Sequence, residues 1–349
     1  MENVMTTGLL QIEGSIDLAQ FWPSGRSDAD TTKLILSVAA NAMEFRKNSS
    51  SPFQATHVFD QAIVKGKVRK PAIKNGQLTI RLQGIDATEL HYQPSALSAA
   101  EKKNLNAADL NAYHLVVHPY RQLLGATATK ALHDFLTTTG QTSVKCRVFT
   151  QVDKPGEVFD TFGRLIGDIE ITVGGNKVNL NHWLVEHGWA FPTFYSSMTN
   201  DEISALLALS KTARAKKTAV WKNLSKTIGP FDFDLLEPKR NDTSVLATDT
   251  GPVIFPKLYR RYANWSARTK AKITKRTFQD FLAMGSSGKP DQCFTTADFL
   301  SNGIHSATHR TFDEFITSGK TINFTPDELV FSEEPSKLVD AKGKDIFHF

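Results

Sequence analysis

Residues 77–89 have the sequence QLTIRLQGIDATE, which joins a predicted strand to a group of charged side chains. Arg81 lies within this strand, and Asp86 and Glu89 lie where the chain leaves it. The apolar residues alternate with their neighbours, as in a strand that buries one face: Leu78, Ile80 and Leu82. The stretch therefore predicts a β-strand with ionisable groups at its end.

Elements with similar patterns lie on both sides of this strand. Further strands are predicted at 8–18, 31–40, 144–152 and 163–173. Helices are predicted at 121–138, 180–187 and 199–219. This order is compatible with an α+β protein built on a small five-stranded Greek-key barrel capped by helices. Periodicity alone does not distinguish this barrel from other α+β folds.

Two polar segments interrupt the predicted barrel. Residues 45–76, within an insertion at 37–76, are rich in lysine and are expected to form a long connection. Residues 92–120 form a second insertion, in which 93–112 are expected to be a surface helical segment.

Length allows one large domain or two ordinary ones, and an irregular segment in the second half of the chain favours two. The chain has 349 residues and a net charge of +5, an excess that is compatible with a polyanionic partner. The predicted division is a barrel domain at 1–224, a linker at 225–250 and a smaller mixed or mainly helical domain at 251–349.

Cysteine usage and hydropathy exclude several classes of protein. Cys146 and Cys293 are far apart, so neither a zinc ribbon nor a disulfide framework is predicted, and both are expected to be reduced thiols. No apolar run approaches the about 18 residues that a membrane span needs. The first fifteen residues do not resemble a signal peptide, which makes a cytoplasmic location the expectation.

Three clusters carry residues suited to phosphodiester chemistry. They are Asp28-Ala29-Asp30-Thr31, the Arg81 to Glu89 stretch, and Asp160-Thr161-Phe162-Gly163-Arg164. Cutting a phosphodiester needs an activated water and neutralisation of the charge on the phosphoryl oxygens. Carboxylates can hold a hard cation or orient the water, and arginines can neutralise the phosphate. Each cluster taken singly is typical of a turn or a strand start, whereas the joint pattern is more specific.

The three clusters, in this order, resemble the staphylococcal nuclease-like (thermonuclease) family. Residues 28–34, DADTTKL, are similar to its DGDTVKL strand, and residues 81–89 resemble its R-L-x-G-I-D-x-P-E motif. Residues 160–164 are similar to its D-x-Y-G-R motif, and the resemblance covers roughly residues 8–224. Thr88 departs from the pattern, because the family usually has proline there.

This resemblance implies an OB-type barrel and a metal-dependent nuclease that leaves 3′-phosphate and 5′-hydroxyl ends. It implies a calcium site (Mg²⁺ or Mn²⁺ being alternatives) formed by Asp30, Asp86 and the backbone carbonyl of Ala87. It implies that Glu89 acts on the attacking water, and that Arg81 and Arg164 hold the phosphate. Tyr195 lies about where the family places an aromatic residue near the nucleotide.

A basic stretch at 257–276 suggests a second contact with nucleic acid. It holds eight basic residues and no acidic one, with aromatic residues interleaved. The predicted contacts with DNA or RNA are Lys257, Arg260, Arg261, Trp265, Arg268 and Lys270. An amphipathic helix with a solvated basic face is the alternative. From Phe312 to the end acidic residues outnumber basic ones, and this part is expected to pack as a small satellite domain or to contact a protein partner.

The sequence leaves two functions open. The first is an active nuclease, favoured because the polar positions of the family pattern are filled. The second is a catalytically silent module that binds nucleic acid or protein. The choice between DNA and RNA, single and double strands, or internal and terminal cleavage is not determined.

Overall fold

The structure is a computed structural model. It describes residues 8–37, 43–56, 62–65, 68–71, 73–151, 158–160, 162–285, 288–333, 337–340 and 342–346. Its strands are β1 (Leu9–Asp17), β2 (Thr31–Leu36), β3 (Met43–Arg46), β4 (Gln54–Thr56), β5 (Ala62–Lys65), β6 (Val68–Pro71), β7 (Gln77–Leu82), β8 (Ile85–Ala87), β9 (Ser143–Gln151), β10 (Leu165–Val173), β11 (Asn176–Asn179), β12 (Ala190–Pro192), β13 (Phe194–Tyr195), β14 (Gln292–Thr295), β15 (Arg310–Thr311), β16 (Ile316–Thr317), β17 (Thr321–Ile322), β18 (Leu329–Phe331) and β19 (Lys337–Val339). Its α-helices are α1 (Ala99–Lys103), α2 (Ala107–His114), α3 (Gly125–Thr137), α4 (Leu180–Glu186), α5 (Asn200–Ala215), α6 (Ala219–Asn223), α7 (Pro256–Lys270), α8 (Phe278–Met284) and α9 (Thr296–Asn302).

Five strands close into the predicted OB-fold barrel. β1 pairs with β2, β2 with β7, β7 with β10, β10 with β9, and β9 returns to β1. Only the β7–β10 pair is parallel among these five. The alternation predicted for residues 77–82 is confirmed, because Leu78, Ile80 and Leu82 are buried. Each such side chain contributes about 1.5–3 kcal/mol when it leaves water.

Helices α3, α4 and α5 cover the barrel, and α5 begins with the capping box predicted at Thr199 and Glu202. α3 begins four residues later than predicted. Leu124 has a φ of 68°, so the helix cannot extend back through it, and Arg121 instead donates its backbone N–H to Leu235. The hairpin between β10 and β11 turns at Gly174 and Gly175, as predicted.

The connection predicted at 45–76 is wrong in part, because its described residues form strands. β3 continues the sheet by pairing with β1, and β4 pairs with β3. β5 and β6 form a separate hairpin that pairs with β19, from the other end of the chain. Residues 38–42, 57–61, 66–67 and 72 of the insertion lie outside the described residues. In the second insertion, α1 and α2 confirm the predicted helical segment.

The C-terminal region is mixed, and it packs directly on the barrel domain. β13 pairs in parallel with β18, and β18 pairs with β14, so one sheet contains strands from both regions. Phe191 and Trp221 share a buried cluster with Phe255 and Phe331 of the C-terminal region. The two regions therefore share a hydrophobic core.

The segment predicted as a linker at 225–250 has little regular structure but is anchored to the barrel domain. Asp249 is fully buried and forms an ion pair with the buried guanidinium of Arg121. Its Oδ2 also accepts from Thr127 N at 2.8 Å and from Thr127 Oγ1 at 2.9 Å. Asp249 thus satisfies a free N–H in the first turn of α3.

We expect Asp249→Ala to lower the free energy of unfolding by about 3–5 kcal/mol, because it leaves the buried Arg121 charge without its partner. Urea unfolding followed by far-UV circular dichroism measures this difference. Asp242→Ala is the matched control, since that exposed carboxylate caps only a local turn at Ser244. Equal midpoints for the two variants would contradict the assigned role of Asp249.

Two further predictions concern the cysteines and the membrane. Cys146 and Cys293 are free and buried, as predicted, and burial raises the pKa of each to about 12. Neither is therefore a reactive thiolate near neutral pH. No helix in the described ranges is long and apolar enough to cross a membrane.

Candidate active site

The register of three barrel strands brings the three sequence clusters together. Arg81 of β7 lies opposite Thr31 of β2 on one side and opposite Ile166 of β10 on the other. Thr31 directly follows Asp30, and Ile166 lies two residues after Arg164. Antiparallel and parallel pairing with one central strand thus places clusters from distant sequence positions at one end of the barrel.

A turn at Gly84 places Asp86 at this end of the barrel. Gly84 has a φ of 70°, a conformation that glycine adopts without a steric penalty, and it separates β7 from β8. Asp86 lies in β8 and is fully buried. The next residue, Ala87, donates its backbone N–H to Asp30 Oδ2 at 2.7 Å. The turn therefore joins the second cluster to the first.

Arg81 bridges the two buried aspartates. Its Nη1 pairs with Asp30 Oδ1, and its Nη2 contacts Asp86 Oδ1 at 2.5 Å. Nη2 also donates to the backbone carbonyl of Ile85 at 3.1 Å. Burial alone would lower the pKa of Arg81, but Asp30 and Asp86 more than offset it and the net shift is upward. Arg81 therefore stays charged and holds both carboxylates in place.

Arg164 approaches from the third cluster. Its Nε donates to Asp160 Oδ2 at 2.6 Å, and its Nη1 donates to Thr31 Oγ1 at 3.2 Å. Asp160 Oδ1 also accepts from the backbone N–H of Arg164, which fixes the turn that leads into β10. The side chain of Arg164 is 29% exposed, so its guanidinium remains accessible to a phosphate.

Glu89 follows β8 and is held by both its backbone and its side chain. Its N–H donates to Gln122 Oε1 at 3.3 Å, and its carbonyl accepts from the N–H of Gln122 at 2.6 Å. Its Oε1 accepts from Arg260 Nη1. Among the described residues Oε2 has no hydrogen-bond donor, and the side chain is 16% exposed. One oxygen of Glu89 is therefore fixed and the other is available to a water molecule.

Arg260 belongs to this cluster, although the sequence analysis predicts it only as a contact with nucleic acid. Its Nη1 and Nη2 donate to Asp86 Oδ1 and Oδ2 at 3.0 and 2.9 Å. It reaches the site from α7 in the C-terminal region. The basic composition of 257–276 signals a cation near phosphate, but nothing in the sequence shows which of the eight basic residues enters the barrel site.

The charges of the cluster shift the pKa values of its carboxyl groups in different directions. Burial would raise the pKa of Asp86, but Arg260 and Arg81 outweigh it and the pKa is lowered. Burial raises the pKa of Glu89 despite the opposing effect of Arg260. Burial and the neighbouring Asp30 raise the pKa of Asp28 well above its usual value. Asp86 is thus a fixed anion, and Glu89 has the raised pKa that suits a proton acceptor.

A cleft of about 800 Å³ between the barrel and the C-terminal region is lined by most of these residues: Asp28, Asp30, Arg81, Glu89, Asp160, Arg164 and Arg260. Four of the seven predicted nucleic-acid contacts line the same cleft, and besides Arg260 they are Tyr195, Lys257 and Arg261. Arg261 is paired with Asp291 through two contacts of 2.9 Å. Lys257 Nζ lies 4.4 Å from the ring centroid of Phe331 and 5.7 Å from that of Tyr195. The cleft therefore combines cations with an aromatic face.

The other three predicted contacts lie away from this cleft. Arg268 is buried and pairs with Glu101 at 2.8 Å, so its guanidinium is engaged within the protein and its contact with nucleic acid stays a prediction. Trp265 donates its indole N–H to the carbonyl of Arg276 and stacks on Tyr262. Lys270 Nζ lies 5.7 Å from the ring centroid of Phe233.

The calcium site implied by the resemblance does not fit the donor set in this arrangement. Both oxygens of Asp30 accept protein hydrogen bonds, Oδ1 from Arg81 and Thr31 and Oδ2 from Ala87. Both oxygens of Asp86 accept from guanidinium groups. Within the described ranges no group of three or more His, Cys, Asp or Glu side chains is placed to hold a metal ion. Calcium binding stays a prediction, and it requires that these donors be displaced.

Comparison with known proteins identifies the barrel segment. Residues 79–223 match the family described as staphylococcal nuclease homologue. No curated protein sequence matches the chain. The matched range contains Arg81, Asp86, Glu89 and Arg164, whereas Asp30 lies before it. Over residues 79–223 the chain therefore matches the staphylococcal nuclease homologue family, and β1 and β2 from outside this range complete the OB-fold barrel.

Proposed function

We propose that this protein hydrolyses phosphodiester bonds of DNA or RNA in the cleft between the barrel and the C-terminal region. One observation carries the proposal: the strand register brings Arg81, Asp86, Glu89 and Arg164 to one end of the barrel, where they line or border the cleft. Family membership supports a nuclease, because the matched segment contains all four of these residues.

In the proposed reaction, Glu89 Oε2 accepts a proton from water while the water oxygen attacks the phosphorus atom. The bond from phosphorus to the 5′ oxygen breaks, which leaves a 3′-phosphate and, after protonation by solvent, a 5′-hydroxyl. Arg164 donates to the phosphoryl oxygens as negative charge builds on them, and a charged donor of this kind stabilises the transition state. Arg81 fixes Asp30 and Asp86 and supplies positive charge behind the reacting group.

The rest of the cleft would bind the strand. Tyr195 would offer an aromatic ring on which a base can stack, and Lys257 and Arg261, which line the same cleft, would supply cations for neighbouring phosphates. A groove of this kind accepts a single strand through its backbone and the faces of its bases, so either DNA or RNA fits this chemistry.

The test is cleavage of end-labelled single-stranded DNA, double-stranded DNA and RNA, each with Ca²⁺, Mg²⁺, Mn²⁺ or EDTA. We expect products that carry 3′-phosphate ends, detected because they resist extension by a polymerase until a phosphatase removes the group, and their lengths distinguish internal from terminal cleavage. Binding without cleavage under all of these conditions would support the silent binding module instead.

Substrate affinity should depend on pH through Lys257. Burial lowers the pKa of Lys257 to about 8, so the side chain is charged below that pH and loses its charge as the pH rises through it. We expect the affinity for a labelled single-stranded oligonucleotide to fall by several fold between pH 7 and pH 9, because one phosphate contact is lost. Fluorescence anisotropy with the Glu89→Gln variant measures binding without cleavage.

The matched control for this pH dependence is Lys257→Arg in the same background, because a guanidinium stays charged throughout the range. We expect this variant to keep its affinity at pH 9. An equal loss of affinity in both proteins would show that another group titrates.

A further inference from the structure

The helix that carries Arg260 is built into the fold. Leu258 and Ala263, on either side of Arg260, are fully buried. Tyr259 donates its hydroxyl to the carbonyl of Arg121 at 3.0 Å. Asn264 donates to the carbonyl of Arg260 at 2.9 Å and accepts from Ser95 N at 2.7 Å. These contacts fix the position of Arg260, so its guanidinium is a permanent component of the carboxylate cluster.

The guanidinium groups provide the charge that a divalent ion would bring. Arg81 and Arg260 both contact Asp86, so two positive charges lie within hydrogen-bond distance of this one buried carboxylate. One calcium ion carries the same total charge. Calcium at Asp86 would have to enter between these two cations, where it would be repelled by both and would lose the carboxylate oxygens that they occupy.

We propose that Arg260 is a built-in cation that takes the position of a divalent metal between Asp86 and Glu89, so that hydrolysis proceeds without a divalent ion. The part of this proposal that concerns cleavage rests on the proposed function. Arg260 is a positioning residue, because it acts through Glu89: it holds Oε1 and thereby leaves Oε2 facing the water. It also stabilises the negative charge that Glu89 carries before the reaction.

The role of Arg260 can be measured without substrate. Without the guanidinium of Arg260, α7 no longer donates hydrogen bonds to either oxygen of Asp86 or to Oε1 of Glu89. Arg260→Met has a side chain of similar length without the charge. We expect this variant to gain saturable binding of one Ca²⁺ per chain, whereas the unmodified protein binds none. Isothermal titration calorimetry with Ca²⁺, supported by Tb³⁺ luminescence, measures Ca²⁺ binding by the variant and by the unmodified protein.

Cleavage provides a second readout. We expect the unmodified protein to cleave a labelled oligonucleotide in EDTA as fast, within about twofold, as in Ca²⁺. We expect Arg260→Met to lose about 100-fold in EDTA, as when a charge-stabilising donor is removed, and to recover part of that rate with Ca²⁺. Arg260→Lys should retain part of the rate in EDTA. The matched control is Arg310→Met, which removes an arginine from a half-exposed pair with Glu314 and should behave as the unmodified protein.

Several results would overturn the proposal. One is saturable Ca²⁺ binding by the unmodified protein that Asp86→Asn abolishes. Another is a folded Arg260→Met protein that binds no Ca²⁺. If Arg260→Met does not fold, the cleavage rate of the unmodified protein in EDTA is the deciding measurement. Full activity in EDTA supports the proposal, and activity that EDTA abolishes overturns it. Absence of cleavage in every protein and condition would refute the proposed function alone, because the Ca²⁺ titrations would still decide the role of Arg260.

Discussion

Glu89→Gln is expected to lower kcat by about 10²–10⁴-fold, the range typical of a positioned general base. The amide keeps the shape of the side chain and can still accept one hydrogen bond from Arg260, but it cannot take a proton from water. KM should change little, because the lost interaction is one made in the transition state and not in substrate binding. Single-turnover cleavage with excess enzyme separates the chemical step from product release.

The control for this prediction is Glu186→Gln, which removes an exposed carboxylate from α4 of the same domain. Its cleavage rate should equal that of the unmodified protein. Thermal unfolding of Glu89→Gln is measured in parallel, because the substitution also removes a charged partner of Arg260. A folded Glu89→Gln protein that retains full kcat would refute the assigned role of Glu89.

Deleting residues 251–349 is expected to prevent the remaining chain from folding stably. The deletion would expose Phe191 and Val220, which are fully buried, and much of Trp221. Each exposed side chain costs about 1.5–3 kcal/mol, and domains have total stabilities of about 5–15 kcal/mol. The deletion would also remove β18, the partner of β13, and leave the edge of β13 unpaired.

Far-UV circular dichroism and thermal unfolding of the 1–250 fragment check this prediction. We expect a fragment that aggregates or unfolds without a cooperative transition. Adding the separately produced 251–349 fragment should restore a cooperative transition if the shared core is the reason. A 1–250 fragment that unfolds cooperatively at the same temperature as the whole chain would instead support two independent domains joined by a linker, as the sequence predicts.

The barrel and its cluster of charged residues could be predicted because their signals are local. The alternation at 77–82 and the motif that follows it are determined by neighbouring residues, and β7 lies where this pattern places it. The separate short strand β8 is not predicted, because it forms by pairing with the distant β12. The strands at 43–71 could not be predicted from their composition. Their polar residues form strands because β1 offers an unpaired edge to β3 and because β19 offers one to β5, and both are long-range contacts.

The position of Arg260 could not be predicted for a similar reason. Eight cations lie between residues 257 and 276, and only the packing of α7 on the barrel determines which one meets Asp86. The same packing directs Arg268 toward Glu101 instead of toward solvent. A basic stretch thus indicates an electrostatic environment, whereas the role of each of its arginines depends on tertiary contacts.

The pairing of β19 with β5 has a consequence for how the protein is made. This pairing joins the last described strand to the insertion near the start of the chain, and Arg260 reaches the cleft from the same late part of the sequence. During synthesis on a ribosome, the first half of the chain therefore emerges before the residues that complete its sheet and its charged cluster. Contacts between such distant parts of a chain form slowly. The nascent barrel consequently holds Asp86 and Glu89 without Arg260 until the C-terminal region has been synthesised.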